Sequence, residues 1–285
     1  MRVFFYSCLC FLALTAGAGE KPVVFVSIPP QAWLVKRLAG DRVEVQTLLT
    51  PGANPHTFEP AARQAKKLFG ASLYLTLGMP FELALARRAG GLNAALKVVG
   101  MDAGIAKRAE AAHDLEAGEA CRAGGDPHIW LSPRLMCAMA SNTVTALGQV
   151  LPQQRAALAE NLQAAVAEIQ AVDATVREKL ASLRMKMWVA YHPSWSYFAA
   201  DYGLTLLVIE QDGKAPVAKH LAEVIGQARA AGVKVVCAEP QYDKRPAQTL
   251  AQQLGVRLEM IDPLQEDWPA LMRDVAEKLA GGDVR

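Results

Sequence analysis

The sequence predicts an α/β protein of two lobes, each with a mainly parallel sheet flanked by helices, joined by one long rigid helix. Short apolar runs alternate with amphipathic stretches along the chain, the pattern of parallel strands joined by crossovers. The stretch from Pro152 to about Leu183 has no Gly and no internal Pro and is rich in Ala, Leu, Gln and Glu, strong helix formers. At 1.5 Å per residue, about thirty such residues span roughly 45 Å, too long for a crossover inside one sheet. The length of 285 residues also corresponds to about two ordinary domains.

In chain order, residues 1–18 read as an export signal. Arg2 precedes the apolar run Val3 to Leu14, and Ala16-Gly17-Ala18 supplies small residues for cleavage. A first lobe is expected over 19–150, with strands Val23–Ser27, Val43–Leu49 and Leu73–Leu77 and helical stretches Gln31–Ala39, Ala61–Phe69, Leu83–Arg88 and Leu135–Val150. The bridge is expected over 151–183, with Pro152 suited to a first helical turn. A second lobe over 184–285 carries strands Met187–Tyr191, Leu204–Ile209, Val233–Ala238 and Arg257–Ile261 and a helical stretch Val217–Ala231. Gly40, Gly203, Gly232 and Gly255 fall where helices should stop. Segment 105–127 is charged and small, without a core face, and reads as a surface loop.

Composition excludes several classes. A 52% hydrophobic, 20% charged chain is not disordered. A net charge of +2 without a large basic cluster argues against nucleic acid as a partner. Of the five cysteines, Cys8 and Cys10 lie in the signal. Cys237, in an apolar run, reads as a buried thiol, and a Cys121–Cys137 bridge is conceivable in an oxidising compartment. No CxxC pair offers a zinc ribbon or redox motif.

Past the signal the chain has five histidines: His56, His113, His128, His192 and His220. Pro directly precedes His56 and His128 and directly follows His192, which stiffens all three loops. His56 follows the second expected strand by a short turn, while His192 and Asp262 cap strands of the second lobe. Ligands of open parallel sheets bind beyond the carboxyl ends of strands, so these groups can meet in one cleft. Each histidine alone reads equally as an ordinary loop residue. Together, three imidazoles and one carboxylate make a closed tetrahedral set suited to Zn²⁺. Such a set lacks the open position that catalytic zinc keeps for water. Glu59 and Glu239, beside these motifs, read as acceptors for ligand imidazoles or as structural residues. Trp130, Trp195, Tyr197 and Phe198 read as cleft wall or core, and His220 as part of a solvated helix face.

Four motifs in order, PGANPHTFEP, DPHIWLSP, YHPSWSYFAADYGL and AEPQYDKRPAQTLAQQLGVRLEMIDPL, resemble those of periplasmic zinc/manganese-binding proteins of bacterial metal ABC importers, over nearly the whole chain. The resemblance places His56, His128, His192 and Asp262 on the metal-ligand positions. It implies a two-lobed, monomeric periplasmic protein that carries its ion to a membrane permease and is not an enzyme. A nitrogen donor at position 192 favours Zn²⁺ over Mn²⁺. Relatives specific for zinc carry a long His-rich acidic loop before the second histidine motif; here segment 105–127 holds His113 alone, with Asp114, Glu116 and Glu119. Glu210-Gln211-Asp212-Gly213 also departs from the smaller residues expected there. The rival functions are a secreted zinc-dependent hydrolase, a binding protein for manganese or a metal chelate, and a surface adhesin. The histidines open no HExxH, and no GxSxG elbow is present.

Overall fold

The computed structural model describes residues 20–109, 125–184, 186–211 and 214–281. The expected signal (1–18) and the stretch holding His113 and Cys121 lie outside these residues. The first sheet contains β1 (Val23–Val26), β2 (Glu44–Thr47), β3 (Leu73–Thr76) and β4 (Lys97–Gly100), in the order β2-β1-β3-β4. The second contains β5 (Met187–Ala190), β6 (Thr205–Val208), β7 (Val235–Ala238) and β8 (Arg257–Met260), in the order β6-β5-β7-β8. All pairings are parallel, with Val24 opposite both Val45 and Leu73, and Val189 opposite both Leu207 and Val236. In each sheet the chain steps to one side of its first strand and then returns to the other. Parallel sheets bind ligands beyond the strand ends at such a reversal.

Between and around the strands run α1 (Pro29–Ala39), α2 (Ala62–Phe69), α3 (Pro80–Leu92), α4 (Pro133–Val150), α5 (Arg155–Ala181), α6 (Ser196–Asp201), α7 (Ala218–Ala230), α8 (Arg245–Leu254) and α9 (Trp268–Ala280). Local chemistry sets their ends. The Ser132 hydroxyl accepts from Leu135 N at 3.3 Å to cap α4, and Asp267 accepts from Ala270 N at 2.9 Å to cap α9. Gly255 closes α8 at φ +67°, a left-handed conformation that disfavours side chains. Two edges were not legible beforehand. Strand β4 has only Val98 and Val99 as apolar residues and sits at the sheet margin with Lys97 and Val98 exposed, so it lacks the apolar run that marked its neighbours. The bridge opens with a 3₁₀ turn, Pro152–Gln154, before α5 begins.

Helix α5 runs 27 residues, about 40 Å. Its buried stripe, Leu158, Ala165, Ile169, Val172, Val176 and Leu180, follows the three-and-four spacing of one helical face. That stripe packs against α4 and α1 of the first lobe and α9 of the second. The helix is thus shared core, clamped along both lobes. Further ties cross between the lobes near the cleft. Trp130 Nε1 donates to the Pro263 carbonyl at 2.8 Å, and Trp268 Nε1 donates to the Trp130 carbonyl at 2.7 Å. Trp33 and Trp268 pack in a tilted pair with ring centroids 5.5 Å apart, and Lys36 pairs with Glu266 at 2.5 Å. Among the described residues, no helix is long and apolar enough to cross a membrane. Cys237 is a buried free thiol that burial pushes well above its usual range, and Cys137 is free as well.

Candidate metal centre

Three loops deliver imidazoles to one point. The sequences Asn54-Pro55-His56 and Asp126-Pro127-His128 fold the same way: the Asx side-chain Oδ1 accepts the histidine N–H two residues on, at 2.9 Å in both. Such Asx turns hold a loop without secondary structure, and the intervening proline removes a degree of freedom. His192 arrives differently. It follows β5 in extended conformation (φ −104°, ψ 148°), as a residue before Pro193 should, and its N–H donates to Glu239 Oε2 at 3.3 Å.

The side chains of His56, His128 and His192 each offer a nitrogen within 4.8 Å of the others. The Nε2 atoms of His56 and His192 lie 3.1 Å apart. Ring centroids are separated by 4.8 to 5.4 Å. Tetrahedral zinc with Zn–N near 2.0–2.1 Å needs ligand atoms about 3.3 Å from one another, so this spacing suits one ion. His128 and His192 are buried and His56 half-buried. Tyr242 stacks on the His192 ring at 4.8 Å and closes that side.

Two carboxylates orient the rings. Asp126 Oδ1 lies 2.7 Å from His128 Nδ1, and Glu210 Oε1 lies 2.9 Å from His192 Nδ1. Each contact occupies the far nitrogen and leaves Nε2 for the cluster, the arrangement usual behind metal-bound imidazole. Asp126 also ties the lobes together, because Ser196 of α6 donates to its Oδ2 and the Tyr197 hydroxyl donates to its carbonyl at 2.8 Å. Burial alone would push the Asp126 carboxyl up, but attraction to His128 and the bonds from His128 and Ser196 outweigh it and hold it below the usual range. Burial, then repulsion from His56 and His128, holds His192 well below the ordinary imidazole value. His192 is therefore neutral, the form that ligates.

Neither orienting carboxylate was singled out from sequence. Asp126 was readable in the repeated Asx-Pro-His pattern. Glu210, noticed only as a departure, sits just past β6 at the same sheet end as His192, a proximity visible only after strand pairing. Among the described residues, neither Glu59 nor Glu239 bonds an imidazole ring, and the contacts of Glu239 fit the structural reading. Glu239 is buried, accepts from Trp195 Nε1 at 3.1 Å and from the His192 backbone, and has its carboxyl pushed up to about 8 by burial. Glu59 is exposed and lines an open cavity beside His56. Asp262 caps β8 as expected but stands outside the three-histidine group; its Oδ1 accepts from Gln241 Nε2 at 2.7 Å and Leu264 N at 2.9 Å. His220 is half-buried on α7, away from the cluster. Trp130, Trp195, Tyr197 and Phe198 are all buried, with the Trp130 ring 5.2 Å from that of His128.

Comparison with known proteins agrees with this construction. The family described as ZnuA, zinc-uptake complex component A, periplasmic, matches residues 24–282. A zinc-binding lipoprotein, AdcA, of Streptococcus pneumoniae is 25% identical over 269 residues, 90% of this chain and 54% of the relative. The chain thus spans about half the length of that curated relative. A crystal structure of ZnuA superposes with a TM-score of 0.84 at 31% identity, covering 92% of this chain and 99% of the other. A zinc-bound ZnuA deletion mutant superposes with a TM-score of 0.85 at 30% identity, covering 93% and 99%. Two parallel sheets clamped on one long helix, with imidazoles gathered at the strand ends, are accordingly the frame of a known lineage: this chain belongs to the family of periplasmic component A of zinc-uptake complexes.

Proposed function

We propose that this protein binds Zn²⁺ between its lobes in the periplasm and delivers it to the membrane permease of an ABC importer, as a carrier and not a catalyst. The observation that supports this most directly is the convergence of His56, His128 and His192, each presented from a constrained loop. In this reading the three imidazoles are ligands and Asp262 is the fourth. Both side-chain bonds of Asp262 fall on Oδ1, which leaves Oδ2 for the ion in this reading. Three nitrogens and one oxygen suit zinc better than manganese, which prefers oxygen. The metal-free site carries neutral imidazole at His192, so an arriving cation displaces little bound proton there.

Elemental analysis of protein purified from the periplasm, with competitive zinc and manganese titration against a chromophoric chelator, tests the reading. One bound zinc and a preference for zinc are expected. His56→Ala should weaken zinc binding by about a hundredfold or more, while His220→Ala should leave it within about twofold of the parent. Equal losses from the two substitutions would refute the site.

A further inference from the structure

The outer side of the first lobe has a feature that ion binding does not use. Between α2 and α3 lies an open cavity of about 580 Å³. Its floor is apolar: Phe58 and Phe81 meet edge to face at 5.2 Å, and Ala65, Ala84 and Leu85 add to the lining. The stripe Phe81, Ala84, Leu85, Arg88 follows helical spacing along α3, and Leu92, one turn further, is 65% exposed. His56 lines the inner end of the same cavity.

The helices that bound it are basic. Arg88 lines the cavity, Arg63, Lys66 and Lys67 on α2 and Arg87 on α3 are exposed on the same two helices, and none of the five side chains makes an ion pair or hydrogen bond among the described residues. From residue 59 to residue 97 the acidic residues are Glu59, at the cavity, and Glu82, fully buried. The corresponding helices of the second lobe differ. On α7, Glu223 accompanies Lys219 and Arg229, and Arg229 donates to the Gln253 carbonyl at 3.1 Å; at the start of α8, Arg245 is paired with Asp243 at 2.6 Å. Cationic side chains without partners are therefore denser on α2 and α3 than on α7 and α8, in a nearly neutral molecule.

We propose that the α2–α3 groove is a docking surface for the permease, occupied by an acidic, apolar-anchored segment on its extracytoplasmic face. The inference rests on the reading of this protein as a carrier for such a permease. Charge selects an acidic partner, because five unpartnered cations gain most from opposite charge and steer its approach. Shape selects a segment with an apolar side chain over a flat lipid surface, because the apolar lining is concave and about the size of a ligand pocket. Continuity with His56 gives docking a physical consequence, since a side chain seated in the groove touches the residues that hold this ligand loop.

The test uses the full-length mature protein and its cognate permease reconstituted in proteoliposomes, with zinc-dependent ATPase stimulation and direct association as readouts. Arg63→Glu, Arg87→Glu and Arg88→Glu combined should weaken association about tenfold or more and flatten its salt dependence, with zinc affinity within about twofold of the parent. Ala84→Trp, which plugs the groove without altering charge, should weaken association too. Lys219→Glu with Arg229→Glu, on the other lobe, should have little effect. Wild-type stimulation that survives both groove variants overturns the docking surface alone. Binding to permease-free phosphatidylethanolamine/phosphatidylglycerol vesicles that is lost with the charge reversal, while association with the permease persists, assigns the patch to the membrane and overturns it as well. Wild-type protein that binds zinc yet neither associates with nor stimulates the permease overturns the carrier reading, and this inference with it.

Discussion

At the scale of single residues, the site works by separating two jobs that one side chain cannot do. In the proposed site His128 and His192 turn Nε2 to the ion, and carboxylates hold both rings at Nδ1. Asp126→Asn keeps the shape of that contact but removes its charge, and should cost about ten- to a hundredfold in zinc affinity, read by chelator competition. Protons compete with zinc for the same nitrogens. Affinity should fall as pH drops below about 6.5, where ordinary imidazoles protonate, and a flat profile between pH 8 and 5 would contradict three-histidine ligation. His192 also couples pH to the stability of the metal-free fold. Its folded pKa lies below the unfolded value, so its contribution is whole above about 6.5 and is lost as pH falls toward the depressed value. Urea unfolding of the metal-free protein at successive pH values should show that loss, and it should be absent in His192→Ala.

At the scale of elements, the strand ends of the first lobe are held by a buried polar knot. Glu82, on α3, accepts from Leu77 N at 3.0 and 2.9 Å and from Met79 N at 2.6 Å, and the Ser27 hydroxyl, just past β1, donates to it as well. Ser27 also bonds the Tyr74 hydroxyl of β3 at 3.0 Å, and Gln31 Oε1 accepts from the N–H groups of Ser27 and Ile28. Full burial pushes the Glu82 carboxyl up to about 7, against the pull of these donors. A carboxyl raised on folding contributes stability that is fully present below its unfolded value and is lost as pH rises through the folded one. Wild type should therefore lose about 2 kcal/mol relative to Glu82→Gln between pH 5 and pH 8, measured by paired denaturant titrations. The amide can still accept from Leu77 and Met79 while donating to Ser27. On α5, Ile169→Ala opens a hole in the face shared by both lobes and should cost about 2–5 kcal/mol in the same titration. Zinc affinity should remain within about twofold of the parent.

At the scale of the whole molecule, the lobes are joined too well for wide closure. The long helix packs along both, the Trp130 indole donates to the Pro263 carbonyl and the Trp268 indole to the Trp130 carbonyl across the junction, and Lys36–Glu266 and Asp126–Ser196 contacts bracket the cleft. Wide closure would have to break these contacts together and separate the helix from shared core, so ligand loops should move more than lobes. Small-angle scattering of metal-free and zinc-loaded protein should give radii of gyration within about 1 Å of each other. A change of several ångström would mean a hinge.

Periodicity and composition alone determined much of this protein. Seven of the eight strands, the long helix and the glycine stop at Gly255 follow from short-range rules, since apolar alternation, helix propensity and left-handed backbone act within a few residues. The three histidines were legible because proline neighbours leave a local mark. Pairing information was not local. Strand β4 carries too little apolar sequence to announce itself and exists because β3 offers it an edge. Glu210 lies 18 residues from His192, and only the parallel pairing of β5 with β6 sets their ends side by side. Whether three scattered imidazoles become one site is decided by sheet order and by the lobes' shared helix, because ligand geometry is set to tenths of an ångström by contacts that no stretch of sequence contains.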